Sequence, residues 1–287
     1  MKTVLILTDF SDNAAHAAIS GVLLSGQLHA NVLLFNTYVK VPMVPYFPGG
    51  PWVAEDYSEW DDQSKDNLNK LAASLQTVID QFDSEKRKPT IYTKCGEGDL
   101  GRNVTEISHK KDIELIVMGS SSESTLNHIL FGSDASAVIQ HASCPVLVIP
   151  PKSDLNKINK VVFATDFKDA DLKALHYLIK LGKLFNFKLE IFHVSLLGED
   201  EKIKNEREMA FVEHVGRLKY PGITYKEIKG KDVVHRLNNL CKETAADLLA
   251  IVYDQHSFFM RILQESTTKK ALTNQKMPLM ILSSKME

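Results

Sequence analysis

The chain has 287 residues, enough for one large domain or for two of about 140, and either choice buries a real core. Its 34 Lys+Arg against 36 Asp+Glu leave a formal net charge of -2, so no field is present to draw in DNA, RNA or an acidic membrane surface. Cys95, Cys144 and Cys241 are widely separated with no CxxC spacing, which argues against a disulfide framework and fits a reducing compartment.

The chain opens MKTVLILTDFSD. Asp9 cuts the apolar run short, so a secretory signal is not read here. No apolar run is long enough to cross a bilayer, and a cytoplasmic protein is expected. Short apolar runs alternate with helical patterns from this point on, which predicts βαβ units and a parallel sheet. In chain order they are a strand Thr3 to Thr8, a helix Asp12 to Gln27, a strand Asn31 to Thr37, a helix Asp61 to Ser84, a strand Thr90 to Lys94, a helix Gly101 to Lys110, a strand Leu115 to Gly119, a helix Ser133 to His141 and a strand Val146 to Ile149. The strands are almost continuous Val, Ile and Leu, the composition of strands covered on both faces. Between the second strand and its helix lies a Pro-rich stretch, 41–60, holding both tryptophans, Trp52 and Trp60. It reads either as a plain excursion or as a lid or partner surface.

Pro150-Pro151 closes this unit, since consecutive prolines cannot continue a ladder. The pattern then starts again. VLILTDFSD (4–12) returns as VVFATDFKD (161–169), with Asp9 and Asp166 lying 157 residues apart. DIELIVMGS (112–120) returns as ADLLAIVYD (246–254), and CPVLVI (144–149) as MPLMIL (277–282). The spacing shortens after the second strand, where the second copy lacks the Pro/Trp-rich stretch. Two copies of one unit are expected, 1–150 and 155–285, each with five strands and four helices.

In a doubly wound sheet, ligands sit beyond the carboxyl ends of the strands where the winding reverses. That singles out the loop after strand one, Thr8-Asp9-Phe10-Ser11, and the loop after strand four, from Gly119 to Gly132-Ser133. A small residue and a hydroxyl at the mouth of a helix present free N–H groups to an anion. Asp9 is equally a turn or cap residue, and Gly119 and Gly132 are equally ordinary turn glycines. No P-loop, nucleophile elbow or His/Cys cluster appears, so no catalytic residue and no metal ligand are assigned and a hydrolase is not expected.

These residues resemble the universal stress protein family, whose ATP-binding members carry G-x2-G-x9-G-[S/T] after strand four and a CPVLV-type last strand. Gly119, Gly132 and Ser133 fall at three of the four motif places, and Ser122 stands where the family has its second glycine. The resemblance implies tandem, Rossmann-like, doubly wound five-stranded parallel domains of the adenine nucleotide alpha hydrolase type. It also implies an adenine nucleotide such as ATP in the first copy alone, held by Asp9, Thr37, Met118, Gly119, Ser122, Gly132 and Ser133. The loop departs from the pattern, with His128 as its sole potential cation and Glu123 added, so triphosphate affinity is expected to suffer. In the second copy Tyr253 replaces Gly119, His256 replaces Ser122, and Ser266-Thr267 replace Gly132-Ser133, so no nucleotide is expected there. Two readings stay open: a stress-response binding and signalling module, or a nucleotide-independent protein-interaction module; a weak ATP-dependent enzyme is disfavoured, and ATP hydrolysis is expected to be very slow at most. The apolar CPVLVI and MPLMIL strands suit pairing within the chain as a pseudo-dimer, or pairing in a homodimer.

Overall fold

The computed structural model describes residues 1–39, 58–83, 87–110, 112–120, 133–151, 153, 155, 157–196, 201–230, 233–254 and 277–286. The first half runs β1 (Thr3–Leu7), α1 (Asp12–Gln27), β2 (Asn31–Tyr38), α2 (Ser58–Asp80), β3 (Ile91–Glu97), α3 (Leu100–Lys110), β4 (Ile113–Gly119), α4 (Ser133–His141) and β5 (Val146–Ile149). The second runs β6 (Lys160–Ala164), α5 (Asp169–Phe185), β7 (Lys188–Leu196), α6 (Glu201–Arg217), β8 (Ile223–Gly230), α7 (Val233–Thr244), β9 (Leu248–Tyr253) and β10 (Leu279–Ser283). The fourth helix expected in the second copy falls on 255–276, outside the described residues, as do Ser122, Gly132, His256 and most of the stretch 41–60.

The strands form one sheet in the order β3-β2-β1-β4-β5-β10-β9-β6-β7-β8. Within each half every pairing is parallel, and the winding reverses at β1 and again at β6. The halves meet where β10 runs antiparallel to β5, with Leu279, Met280 and Ile281 opposite Val148, Leu147 and Val146. The two last strands thus pair within the chain, and neither is left as an open edge.

Strand alternation assigns the faces. Val4 and Ile6 point to the layer that contains α1 and α5, whereas Leu5 and Leu7 point to the layer that contains α3, α4 and α7. Each core runs across the β5·β10 seam: Leu147 and Ile149 share a cluster with Phe163 and Met280, and Val146 and Val148 share the other with Val162 and Ile281. The architecture is therefore a three-layer α/β/α sandwich built from two copies of a doubly wound unit. The observed β3 extends past the expected Lys94, because Cys95, Gly96 and Glu97 pair with Asn36, Thr37 and Tyr38. These residue types carry little strand signal, and a neighbouring strand supplied the order.

Candidate functional site

The turn after β1 has a local cause. Phe10 adopts a left-handed backbone with φ of 63°, unfavourable for a side chain with a Cβ. Its N–H donates to Thr8 Oγ1 at 3.0 Å, and the Asp9 carboxylate accepts from the Ser11 N–H at 3.0 Å and from the Ser11 hydroxyl at 2.6 Å. Ser11 then caps α1, its Oγ accepting from the Ala14 N–H. Asn36 holds the turn against β2, with Nδ2 donating to the Thr8 carbonyl at 2.7 Å and Oδ1 accepting from Ser64 Oγ on α2 at 2.8 Å.

Gly119, at the end of β4, faces the first turn of α1. A Cβ built on it would stand 2.9 Å from Asn13 Nδ2, closer than real contacts allow, and 3.0 Å from the Asn13 carbonyl oxygen, tighter than most of them. Asn13 Nδ2 also donates to the Ser120 carbonyl. The glycine is thus required by the approach of helix to strand, whatever else the site does.

Between these elements, at the carboxyl ends of β1, β2 and β4, lies a hollow of about 170 Å³. Asp9, Thr37, Met118 and Gly119 line it together, joined by Ser11, Ala14, Phe35, Asn36, Ser120, Asp134 and Ala135 among others. Four of the seven residues singled out in the sequence therefore meet in one place. Ser133 opens α4 at the surface beside that lining, its hydroxyl 3.2 Å from Asp134 Oδ1. Asn36 and Asp134 were missed. The visible signal for Asp134 was an acid directly after Gly132-Ser133 in the first turn of a helix; Asn36 had none, being one polar residue at a strand end.

The Universal stress protein family model matches residues 1–150 and again 157–283. The chain belongs to the universal stress protein family. A universal stress protein of Methanocaldococcus jannaschii is 30% identical over 156 residues, spanning 53% of this chain and 85% of that one. Universal stress protein G of Salmonella typhimurium is 36% identical over 75 residues, 26% of this chain and 51% of the relative. Among solved structures, a universal stress protein from Archaeoglobus fulgidus superposes with a TM-score of 0.70 at 18% identity, covering 98% of this chain and 96% of the other; at that identity the likeness speaks for the fold.

The second universal stress protein unit repeats the turn but carries larger side chains at positions that correspond to the lining of the hollow. Phe167 has φ of 61°, its N–H donates to Thr165 Oγ1 at 3.0 Å, and His193, in the place of Asn36, bonds the Thr165 carbonyl through Nδ1 at 2.9 Å. The threonine and phenylalanine of the Thr-Asp-Phe repeat thus do the same work in both turns. Where the first unit has Ala14, however, the second has Asp171, which is 1% exposed. Its Oδ2 accepts from Thr165 Oγ1 at 2.6 Å and from the N–H groups of Asp166 and Lys168 at 3.0 and 3.3 Å. The sheet register corrects the expected match of Tyr253 with Gly119: Gly119 pairs with Ile149 as Val252 pairs with Leu282, so Val252 stands in the place of Gly119, and Tyr253, 4% exposed, stands in the place of Ser120. Lys168, in the place of Ser11, reaches Asp166 Oδ2 at 3.1 Å and Asp254 Oδ2 at 4.0 Å. Burial, and then the nearby Asp166 carboxylate, push the Asp171 pKa up to about 7, against the pull of its three donors.

Proposed function

We propose that this universal stress protein is a binding and signalling module of the stress response, whose first half takes an adenine nucleotide and whose second half takes none. The observation that carries the reading is the contrast between matching positions. Ala14 and Ser120 line a hollow at the point where the winding reverses, and the larger, buried Asp171 and Tyr253 stand at the corresponding positions of the second half. Ligand contacts are assigned to Asp9, Thr37, Met118, Gly119 and Ser133, with Ser122 and Gly132 supplied by the loop, as the resemblance implies. The second half serves as the structural partner in an intramolecular pseudo-dimer.

Calorimetric titration of the whole chain with ATP and AMP tests this, beside the variant Ala14→Asp. The second half accommodates an aspartate on the same turn, so the variant is expected to fold. Saturable binding in the wild type, weakened at least tenfold by Ala14→Asp, is the expected result. No heat and no thermal shift at millimolar nucleotide would favour the rival reading of a nucleotide-independent interaction protein. That rival draws support from the described lining residues, which include no Lys, Arg or His.

A further inference from the structure

We infer that the first-half hollow selects the nucleoside end of its ligand and discriminates against added phosphates, with Asp134 as the residue that sets the discrimination. The inference rests on the adenine-nucleotide reading above. A helix start beside such a hollow normally offers unpaired N–H groups and a positive dipole end to a phosphate. Here the first turn of α4 carries its own carboxylate. Asp134 lines the hollow, the Ser133 hydroxyl donates to it at 3.2 Å, and the second carboxylate of the lining, Asp9, faces the same space. The charge that complements the helix end is thus already on the chain.

The counter-charge is missing as well. Among the described lining residues there are two carboxylates and no cation. Each further phosphate brings negative charge into a field that is already negative, so affinity falls along the series from adenosine to AMP, ADP and ATP. A neutral nucleoside meets none of this repulsion and keeps the polar contacts of Thr37, Asn36 and Asp9.

The test is calorimetry of the full chain with adenosine, AMP, ADP and ATP in the absence of divalent cations, for the wild type and for Asp134→Asn and Asp134→Ala. Asp134 is exposed, so both variants are expected to fold, and circular dichroism checks that they do. The wild type is expected to bind adenosine at least tenfold more tightly than ATP. Asp134→Asn narrows that ratio several-fold by tightening ATP while leaving adenosine within twofold. Added salt weakens the wild-type discrimination by screening. Equal affinity for adenosine and ATP, or a ratio unmoved by either substitution, overturns the inference and leaves nucleotide binding standing. Absence of saturable binding by all four ligands in all three proteins overturns the functional reading and the inference with it.

Discussion

Gly119 and Asn13 are a matched pair, because the helix approaches the strand so closely that the strand residue carries no side chain. Gly119→Ala is expected to destabilise the chain by about 1–3 kcal/mol, because the new methyl meets Asn13 backbone as well as side chain. Combining it with Asn13→Ala is expected to cost less than the sum of the single changes, by roughly 1 kcal/mol in a urea-denaturation double-mutant cycle. A strictly additive result would show that the two residues do not press on each other. Asp171 makes a second prediction. Its raised pKa means that the native state holds a proton more tightly than the unfolded chain, whose group titrates near 3.8. The stabilising contribution is therefore complete below about pH 4 and is lost as pH rises through about 7. Thermal melts should show wild-type stability falling between those limits, and Asp171→Asn should flatten that part of the profile.

Between elements, one tie that crosses from one half to the other is centred on Glu114 of β4. Lys180 of α5 reaches its Oε1 at 2.6 Å, Lys2 reaches Oε2 at 3.0 Å, and the Tyr177 hydroxyl donates to its backbone carbonyl at 3.2 Å. Burial works against the charged form of Glu114, but the hydrogen bonds from Lys180 and Lys2 outweigh it and bring the pKa below the usual carboxylate range. Such a group stabilises the fold above its unfolded pKa, and the contribution is lost as pH falls through the folded one. Lys180→Met should destabilise by about 1 kcal/mol near neutrality, and the difference from wild type should shrink below about pH 4, as followed by chemical denaturation at several pH values. An undiminished difference at low pH would assign the effect to packing of the lysine stem.

Across the chain, the β5·β10 pairing and the two cores that pass over it make the halves one folding body. Both tryptophans lie in the first half, so fluorescence follows that half and far-ultraviolet circular dichroism follows everything. In the wild type the two unfolding curves should coincide. Met280→Asp puts a carboxylate into the shared core opposite Leu147, at a cost of at least ~3 kcal/mol. The expected result is separation of the curves, with the fluorescence transition at higher denaturant. Curves that shift together would mean that the seam does not divide the cooperative unit.

The duplication, the order of strands and helices and the residues of the Thr-Asp-Phe turn were legible in the sequence because each is a local property. Apolar periodicity tells strand from helix over a few residues, and the turn is closed by bonds between residues two apart. Helix α1 and strand β5 appear where the pattern put them, whereas β3 outruns its pattern because pairing with β2 lengthens it. Asp9, Thr37, Met118 and Gly119, which line the hollow, were named from the family resemblance at the strand ends. Asp134, Asn36 and the buried Asp171 were not, since nothing in a linear stretch says that position 14 faces the end of a strand more than a hundred residues away, or that the carboxylate of Asp171 turns back on the loop after β6. Whether a hollow stays open depends on close approaches between α1 and β4, or between α5 and β9, and those distances exist only once the sheet has formed. The same holds for the antiparallel seam: two apolar strands announce that they need covering, and the packing of both helical layers chooses each as the other's cover.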